Sequence, residues 1–366
     1  MSKIVFFVFD LSPRIDRRIN EFIERGYEVE VYGYVNDFNI KYCSQDKYKY
    51  NKIAEKHLGL SYFRRVLYTK KILSIIDKFR NENVIFYFFT INVAIAIFFR
   101  RHIKFIYEES DMLFDRFSNK VLRKIVIYLN KRIIKKSLLT VFTSEGFAEY
   151  YYGKNVPPNI CFIPNRVSKE CLGMNVGIKD PINYNCIKFG FVGNIRYQSI
   201  LNISNYISEN TAHEFHYFGN AESLTDKQKE LLKKPRIYMH GRFSNPDDLP
   251  TIYASIDIVV CTYDTRGVNP KYAEPNKLYE AIFFRTPIIV SDNSFLSKKV
   301  EELGIGFAID PNNNSNIAQN LSVITPEKYA FMQANIESIP RKNVVNINDD
   351  FFERLKNVTL CYRNNL

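Results

Sequence analysis

The stretch EPNKLYEAIFFRTPIIVSD, residues 274–292, carries the strongest signal for the fold of this chain. Its first half places polar and charged side chains ahead of apolar positions at helical spacing, and its second half is a short apolar run. This pattern predicts a helix over 277–284 and then a buried strand over 287–291. The first turn of a helix offers unpaired N–H groups and a partial positive charge. Residues 274–280 are therefore either an ordinary capped helix start or a place that holds a phosphorylated ligand.

The size and composition of the chain are those of a globular protein with about two domains. A chain of 366 residues is longer than one compact core usually holds. Hydrophobic residues make up 46% and charged residues 25%, which excludes a disordered or fibrous protein. The net charge of +12 indicates an anionic partner: nucleic acid, membrane lipid or a phosphorylated substrate.

Cysteine usage and the N-terminal sequence both favour a cytosolic protein. The six cysteines are scattered without a CxxC pair, which fits free thiols in a reducing compartment and gives no zinc or disulfide signature. The N-terminus runs directly into a strand-like segment, without a signal peptide. The apolar run at 84–99 is short for a spanning helix and is interrupted by Thr90 and Asn92. It predicts a strand, a turn and a buried helix instead.

Apolar strands alternate with helices in both halves of the chain, which is typical of parallel sheets covered on both faces. Strands are predicted at 3–9, 28–34, 84–89, 104–107, 139–143, 187–192, 214–218, 236–240, 256–261, 287–291 and 307–309. Helices are predicted at 15–25, 92–100, 119–136, 145–152, 277–284 and 348–362. The fold class is α/β, with two doubly wound, Rossmann-like domains that we expect to face a central cleft.

Proline-rich punctuation near 157–165 and a polar stretch after it mark a domain boundary. We predict a first domain over 1–168, a linker over 169–185 and a second domain over 186–347. The C-terminal segment 348–366 either caps the second domain or crosses back to complete the first.

The segment FGFVGNIR, residues 189–196, is a strand that runs into a glycine turn with an arginine beyond it. Gly193 lets backbone N–H groups approach a phosphate, and the guanidinium of Arg196 can clamp one. Taken by itself, this segment is better explained as a plain strand-to-helix turn with a solvated arginine. Neither GxGxxG nor GxxxxGK[ST] is present, so neither a dinucleotide site nor a P-loop is supported.

The order of these motifs resembles glycosyltransferase family 4, whose members have the GT-B fold. In the second half, the resemblance is carried by the glycine–arginine turn, HGRF at 240–243, YASIDIVV at 253–260 and PNKLYE at 275–280. In the first half it is carried by residues 10–18, GYEV at 26–29, YEESD at 107–111, TSE at 143–145 and IPN at 163–165. These motifs span nearly the whole chain.

The resemblance implies roles for individual residues in binding a nucleotide sugar. Arg196 and Lys277 would neutralise the donor diphosphate as charge develops on it, and Glu280 would accept hydrogen bonds from the ribose. The backbone around Arg242 and Phe243 would bind the base, and Glu274 would be the acid that faces the sugar. The remaining donor-binding positions implied are Gly193, Asn194, Pro275, Asn276 and Leu278.

The chain also departs from the family pattern at three positions. Relatives often have a second glutamate eight residues before the one equivalent to Glu280, and that position is Tyr272 here. Relatives often have a lysine shortly after the arginine equivalent to Arg196, where Tyr197-Gln198 follow here. The first-domain histidine of many relatives is replaced by Ser110. No Asp-x-Asp motif appears, and His213 and His216 are interpreted as structural, so we expect metal-independent transfer without a cofactor.

Two stretches, 116–136, which includes the helix predicted at 119–136, and 62–80, mix basic and apolar residues. Each is either a solvated helix face or a surface that docks on anionic lipid and admits a lipid-linked acceptor.

The leading hypothesis is a glycosyltransferase at the cytosolic face of the membrane, involved in capsule-type polysaccharide synthesis. It would move a hexose-type sugar from a nucleotide sugar, UDP favoured over GDP, to a polysaccharide or lipid-linked glycan, with retention of anomeric configuration. One alternative is a nucleotide-sugar 2-epimerase of the GT-B fold, for which no acid/base set can be assigned. The other is a basic nucleic-acid-binding protein, for which no known module is recognisable.

Overall fold

The structure is a computed structural model that describes residues 3–9, 11–35, 46–55, 62–100, 103–176, 179 and 181–364. The chain divides into two compact units, Met1–Ile163 with Asp349–Leu366, and Pro164–Asn348. Asp10, which opens one of the first-half motifs, lies outside the described residues.

The described part of the first unit contains a seven-stranded, all-parallel sheet in the order β3-β2-β1-β4-β5-β6-β7. Its strands are β1 (Lys3–Val8), β2 (Glu28–Val35), β3 (Tyr50–Glu55), β4 (Val84–Phe89), β5 (Phe105–Glu109), β6 (Leu139–Phe142) and β7 (Ile160–Phe162). Its helices before the second unit are α1 (Pro13–Glu24), α2 (Tyr62–Lys78), α3 (Ile91–Ala94), α4 (Lys120–Lys136) and α5 (Glu145–Tyr152). Short 3-10 helices cover Ile95–Phe99 and Leu113–Arg116.

The described part of the second unit contains a six-stranded, all-parallel sheet in the order β10-β9-β8-β11-β12-β13. Its strands are β8 (Lys188–Val192), β9 (Glu214–Phe218), β10 (Ile237–Gly241), β11 (Ile258–Cys261), β12 (Ile288–Ser291) and β13 (Gly306–Ile309). Its helices are α6 (Gln198–Asn210), α7 (Asp226–Leu231), α8 (Leu249–Ala254), α9 (Val268–Tyr272), α10 (Asn276–Phe283), α11 (Phe295–Leu303), α12 (Asn314–Ser322) and α13 (Pro326–Ser338). The 3-10 helices are Lys169–Gly173 and Arg341–Val344.

The last helix, α14 (Asp349–Asn364), packs on the first unit, which is one of the two placements that the sequence left open. The ring of Phe352 lies edge-on to Phe22 of α1 at 4.9 Å, and the guanidinium of Arg25 sits 4.2 Å above the Phe352 ring. Arg25 also forms an ion pair of 2.5 Å with Asp349. Because the contact joins a buried aromatic pair to a cation, it holds the start of α14 against α1.

The segment predicted as a linker, 169–185, lies within the bounds of the second unit. Cys171 is fully buried in that unit's core, and the ammonium of Lys179 donates to Ile256 O at 3.0 Å and to Thr286 Oγ1 at 2.6 Å. Burial lowers the pKa of Lys179 to about 7. These contacts of Cys171 and Lys179 attach the polar segment to the second unit.

The predicted fold class, two doubly wound parallel sheets, is confirmed. In both sheets the first strand of the unit lies where the strand order reverses: β1 between β2 and β4, and β8 between β9 and β11. Open parallel sheets bind ligands beyond the carboxyl ends of their strands at such a reversal. The 84–99 run folds as β4, α3 and a 3-10 helix, and no helix of the described residues is long and apolar enough to cross a membrane.

Candidate functional site

The glycine turn after β8 is shaped by a close approach of two backbones. Gly193 has a φ of 140°, and its N–H donates to Phe218 O at 2.7 Å. Gly219, with a φ of 147°, lies against it so closely that a β-carbon built there would be 1.8 Å from Gly193 O. Only glycine fits at this second position, which therefore fixes where the Gly193 turn lies.

Lys277 of α10 is the predicted site residue that the fold brings to this turn. A β-carbon built on Gly193 would lie 3.0 Å from Nζ of Lys277 and 3.2 Å from its Cε. The same Nζ donates to Oδ1 of Asn276 at 2.9 Å, which holds the ammonium group over the turn. A cation above open backbone at the carboxyl end of β8 is an arrangement suited to an anionic ligand.

The carboxylate of Glu280 lies one helical turn further along α10 and is only 3% exposed. Its Oε2 accepts from the hydroxyl of Tyr253 at 2.8 Å, and its Oε1 accepts from Nδ2 of Asn276 at 2.5 Å. Burial raises the pKa of Tyr253 well above its ordinary value, so this hydroxyl remains a donor. Asn276 thereby links the carboxylate of Glu280 to the ammonium of Lys277.

Two residues of the PNKLYE motif, Pro275 and Leu278, have structural roles. Pro275 is the N-cap residue of α10 and makes no side-chain cap bond. Leu278 has no exposed surface and packs in the core beneath the helix, so its side chain serves the packing of α10.

Arg196 and Asn194 are exposed at the other side of the glycine turn. The guanidinium of Arg196 lies 4.9 Å from the ring of Tyr197, which packs edge-on against Tyr263 at 4.7 Å. Oδ1 of Asn194 accepts from Nδ2 of Asn220 at 2.9 Å. Arg196 thus has an aromatic support beneath it and a charged group open to solvent.

The residues predicted to bind the base follow β10. Gly241 O accepts from the N–H of Gly219 at 2.6 Å, so this loop is joined to the two glycine turns. Arg242 is exposed and forms an ion pair with Glu222, while Phe243 is half-buried against the core.

Glu274, predicted as the acid that faces the sugar, is buried within the second unit. Its side chain has no exposed surface, and its Oε2 accepts from Nζ of Lys299 at 2.8 Å and from the hydroxyl of Tyr279. The sequence offered no sign of this pairing, because Lys299 belongs to α11 and is distant in the chain.

The sequence predicted no role for three further residues near the site, Asp264, Tyr253 and Gly219. Asp264, in the loop after β11, accepts from the N–H groups of Gln198 at 3.3 Å and Ser199 at 3.1 Å, and so caps α6. Tyr253 belongs to the motif YASIDIVV, but its bond to Glu280 depends on a contact between α8 and α10. For Gly219 the usable signal was a glycine directly after a predicted strand.

The motif YEESD of the first unit carries two buried carboxyl groups at the end of β5. Glu108 is fully buried, and its Oε2 accepts from the hydroxyl of Tyr87 at 2.5 Å and from Nε of Arg18 at 3.3 Å. Ser110, at the position of the family histidine, donates to Glu108 Oε1 at 3.2 Å. These bonds pair Glu108 with the buried guanidinium of Arg18.

Glu109 is held differently. Its Oε1 accepts from Nδ2 of Asn130 and from the hydroxyl of Tyr151, each at 2.9 Å, and its Oε2 has no hydrogen-bond partner among the described residues. Burial, aided by the negative charge of Asp111, raises the pKa of this carboxyl to about 8. Glu109 is therefore mainly protonated at neutral pH.

Helix α4 leaves its first two turns open to solvent. Val121, Leu122, Ile125 and Tyr128 are between 46% and 65% exposed, whereas Ile133 and Ile134, further along the helix, are buried. Exposed lysines and an arginine lie beside these apolar side chains, namely Lys120, Lys124, Lys131 and Arg132. Helix α4, the predicted basic helix, therefore presents an exposed apolar patch next to exposed basic side chains. The second basic segment forms α2, where the side chains of Arg64 and Arg65 are outside the described set.

The three histidines among the described residues contact the backbone, one another and a glutamate. Nδ1 of His213 accepts from the N–H of Ile187 at 3.2 Å. His216 Nδ1 lies 3.0 Å from His240 Nε2, and its Nε2 lies 3.1 Å from Glu214 Oε2. Within the described ranges, no group of three or more His, Cys, Asp or Glu side chains could hold a metal ion.

Comparison with known proteins gives one family match and a common fold. Residues 187–325 match the family model described as Glycosyl transferases group 1. No curated protein matches this sequence.

Solved structures share the fold over essentially their full length. Sucrose-phosphate synthase from Thermosynechococcus elongatus is 11% identical with a TM-score of 0.69, covering 100% of this chain and 99% of that one. A glycosyltransferase from Rickettsia africae is 16% identical with a TM-score of 0.66, covering 99% of both chains. HepE from Anabaena, in complex with UDP and glucose, is 15% identical with a TM-score of 0.69, covering 97% of this chain and 100% of that one.

At these identities the structures establish the fold alone. The family match over 187–325 covers most of the second unit, including Gly193, Lys277 and Glu280. The chain has the GT-B fold, and the family match supports a glycosyltransferase of that fold.

Proposed function

We propose that this protein is a retaining glycosyltransferase similar to family 4. It moves a hexose-type sugar from a nucleotide sugar, UDP-sugar favoured, to a polysaccharide or lipid-linked glycan acceptor. The second unit binds the donor and the first unit binds the acceptor. HepE, which has the same fold, was solved with UDP and glucose, and this supports UDP as the nucleotide.

The observation that carries the proposal is the ammonium of Lys277 over the Gly193 turn, beside the strand-order reversal of the second sheet. In glycosyl transfer the bond between the anomeric carbon and the diphosphate oxygen breaks, and negative charge develops on the leaving diphosphate. Fixed cations at that point stabilise the transition state more than the bound donor. Lys277 and Arg196 supply this charge in the proposal, so the transfer is metal-independent.

The nucleoside occupies the far side of the same site. Glu280 accepts hydrogen bonds from the ribose hydroxyls, because its position is fixed by Tyr253 and Asn276 while a carboxylate has lone pairs for further donors. The base lies against the backbone of Arg242 and Phe243. Retention of configuration, by departure of the diphosphate from the face that the acceptor attacks, rests on the family resemblance.

We propose that the protein binds its acceptor at the cytoplasmic face of a membrane. Helix α4 docks on anionic lipid, with Val121, Leu122 and Ile125 meeting the interface and the neighbouring basic side chains meeting the headgroups. Exposed apolar groups within a positive field are the combination that surface-binding helices use. A lipid-linked acceptor would then be presented beside the first unit.

A thermal-shift screen against UDP-, GDP-, CMP- and dTDP-sugars tests the donor class. A ligand that binds only the folded protein raises its melting temperature, and we expect UDP-sugars to raise it most. Product analysis by NMR then separates transfer or hydrolysis, which releases UDP, from epimerisation, which leaves the sugar attached to UDP. No shift with any of these nucleotides, and no UDP released, would contradict the proposal.

A further inference from the structure

A pair of histidines lies directly before the loop that is proposed to bind the base. Nδ1 of His216, on β9, lies 3.0 Å from Nε2 of His240, on β10, and Nε2 of His216 lies 3.1 Å from Oε2 of Glu214. A carboxylate only accepts hydrogen bonds, so Nε2 of His216 carries a proton and its Nδ1 is the accepting nitrogen. Nε2 of His240 is then the donor. The contacts therefore fix the tautomer of both rings at neutral pH.

The ring of His240 also joins β10 to the glycine turns of the second sheet. It lies parallel to the ring of Phe218, with 4.3 Å between the centroids and 6° between the planes. Each of these two rings is followed by a glycine, and the N–H of Gly219 donates to Gly241 O at 2.6 Å. Gly241 begins the loop that contains Arg242. The histidine pair and the stacked rings thus lie one residue before the bond that fastens this loop.

The surroundings of the pair set the pH at which it takes up protons. Charged and titratable side chains reach it from four segments, namely Glu214 on β9, Lys188 on β8, Tyr238 on β10 and Asp257 just before β11. Burial lowers the pKa of both histidines, and Glu214 only partly offsets this at His216. Because the folded protein binds these protons less tightly than the unfolded chain does, the neutral pair is retained above the ordinary histidine pKa of 6.5 and lost as the pH falls below it.

We propose that His216 and His240 are positioning residues of the donor site: the hydrogen bond between them holds the end of β10, and with it the loop that binds the base. This inference rests on the proposed function. One proton added at Nδ1 of His240 leaves the bond intact, since Nε2 still donates. A second proton, at Nδ1 of His216, would place two N–H groups face to face and break the bond. UDP binding should therefore weaken in acid solution.

The test measures UDP binding by isothermal titration calorimetry at about pH 7.5 and about pH 5.5, on either side of the ordinary histidine pKa. His240→Gln replaces Nε2–H by an amide, which can turn its oxygen toward a protonated His216 and so keeps a bond at both pH values. We expect the wild type to lose about tenfold more affinity between the two pH values than His240→Gln, the effect of about one hydrogen bond. The ionisation of UDP itself is common to all the titrations and cancels in the comparison.

His213→Asn is the matched control. Burial also lowers the pKa of His213, but this histidine accepts from the N–H of Ile187 instead of contacting the pair. We expect His213→Asn to keep the wild-type pH profile.

A second variant, His240→Phe, keeps a ring against Phe218 and removes the donor. We expect it to bind UDP about tenfold more weakly than the wild type at the higher pH, with less further change at the lower one. Equal pH profiles of the wild type and His240→Gln, or a His240→Phe variant that binds as tightly as the wild type at the higher pH, would overturn the inference. A wild type that binds no UDP at either pH would instead overturn the proposed function.

Discussion

At the scale of single residues, Glu109 shows how burial sets a protonation state. The carboxyl has two donors on one oxygen and no partner among the described residues on the other, and its pKa is raised to about 8. Because the folded protein holds this proton more tightly than the unfolded chain does, stability falls as the pH rises from about 4.5 toward 8. Protonated Glu109 also holds Asn130, the buried polar residue of α4.

Glu109→Gln should remove this pH dependence, since the amide keeps an accepting oxygen and carries no ionisable proton. We expect the free energy of unfolding of the wild type to fall, relative to the variant, by on the order of 1 kcal/mol per pH unit between pH 5 and pH 7. Urea denaturation at both pH values measures it. Equal pH dependence in the two proteins would show that Glu109 is not the group responsible.

The sequence predicts contacts within one motif but not contacts between separate elements. Lys277, Asn276 and Glu280 lie within one short motif, so local spacing was enough to place them together. The bonds from Tyr253 to Glu280 and from Lys299 to Glu274 join separate elements, and helical periodicity carries no information about them.

At the scale of elements, the proposed donor site depends on three loops that follow β8, β9 and β10. Backbone bonds from Gly193 to Phe218 and from Gly219 to Gly241 fasten these loops in sequence. The loops position the turn beneath Lys277, so a change that separates two of them changes the site without touching a ligand.

Gly219→Ala tests this fastening. The added β-carbon would collide with Gly193 O and the φ of 147° would be strained, so we expect a loss of about 2 kcal/mol or more in stability, together with weaker UDP binding. Gly153→Ala is the matched control, because Gly153 also has a positive φ, 58°, but its added β-carbon would meet nothing within 4 Å. Chemical denaturation and calorimetry should show both effects in the first variant. The second should show only backbone strain of about 1–3 kcal/mol, with UDP binding unchanged.

Helix α4 supports a second prediction at this scale. Replacing Lys120, Lys124 and Arg132 with Glu should abolish sedimentation with vesicles that contain anionic lipid, and replacing Val121, Leu122 and Ile125 with Ser should weaken it. The triple variant Lys227→Glu/Lys233→Glu/Lys342→Glu, at three exposed positions of the second unit, is the charge-matched control. Vesicle binding that survives the α4 changes would rule out docking through this helix.

Strands and helices with long apolar patterns were predicted from the sequence within a few residues of their observed ends. β3 and β7 were not anticipated, because β3 reads YNKIAE, with charged and polar residues, and β7 has only three residues between prolines. Both lie at the edges of the first sheet, where partial burial relaxes the demand for apolar side chains.

At the scale of the whole molecule, both units are built on a parallel sheet, and in such sheets the residues that bind ligands lie in the loops after the strands. The fold class followed from the alternation of apolar strands and helices over the entire chain. The ligand could not be predicted from the fold, because the same fold serves many reactions. The assignment of the ligand depends on the residues at one end of the second sheet.

The most direct test of the donor site is calorimetric titration with UDP of the wild type, Lys277→Ala and Lys271→Ala, the last being an exposed lysine on α9 as control. Loss of one charge-assisted contact to phosphate is expected to weaken binding at least about tenfold. We predict saturable binding of one UDP by the wild type and by Lys271→Ala, and a large loss of affinity in Lys277→Ala. A wild type that binds no UDP, or a Lys277→Ala variant that binds it equally well, would contradict the assignment of this site.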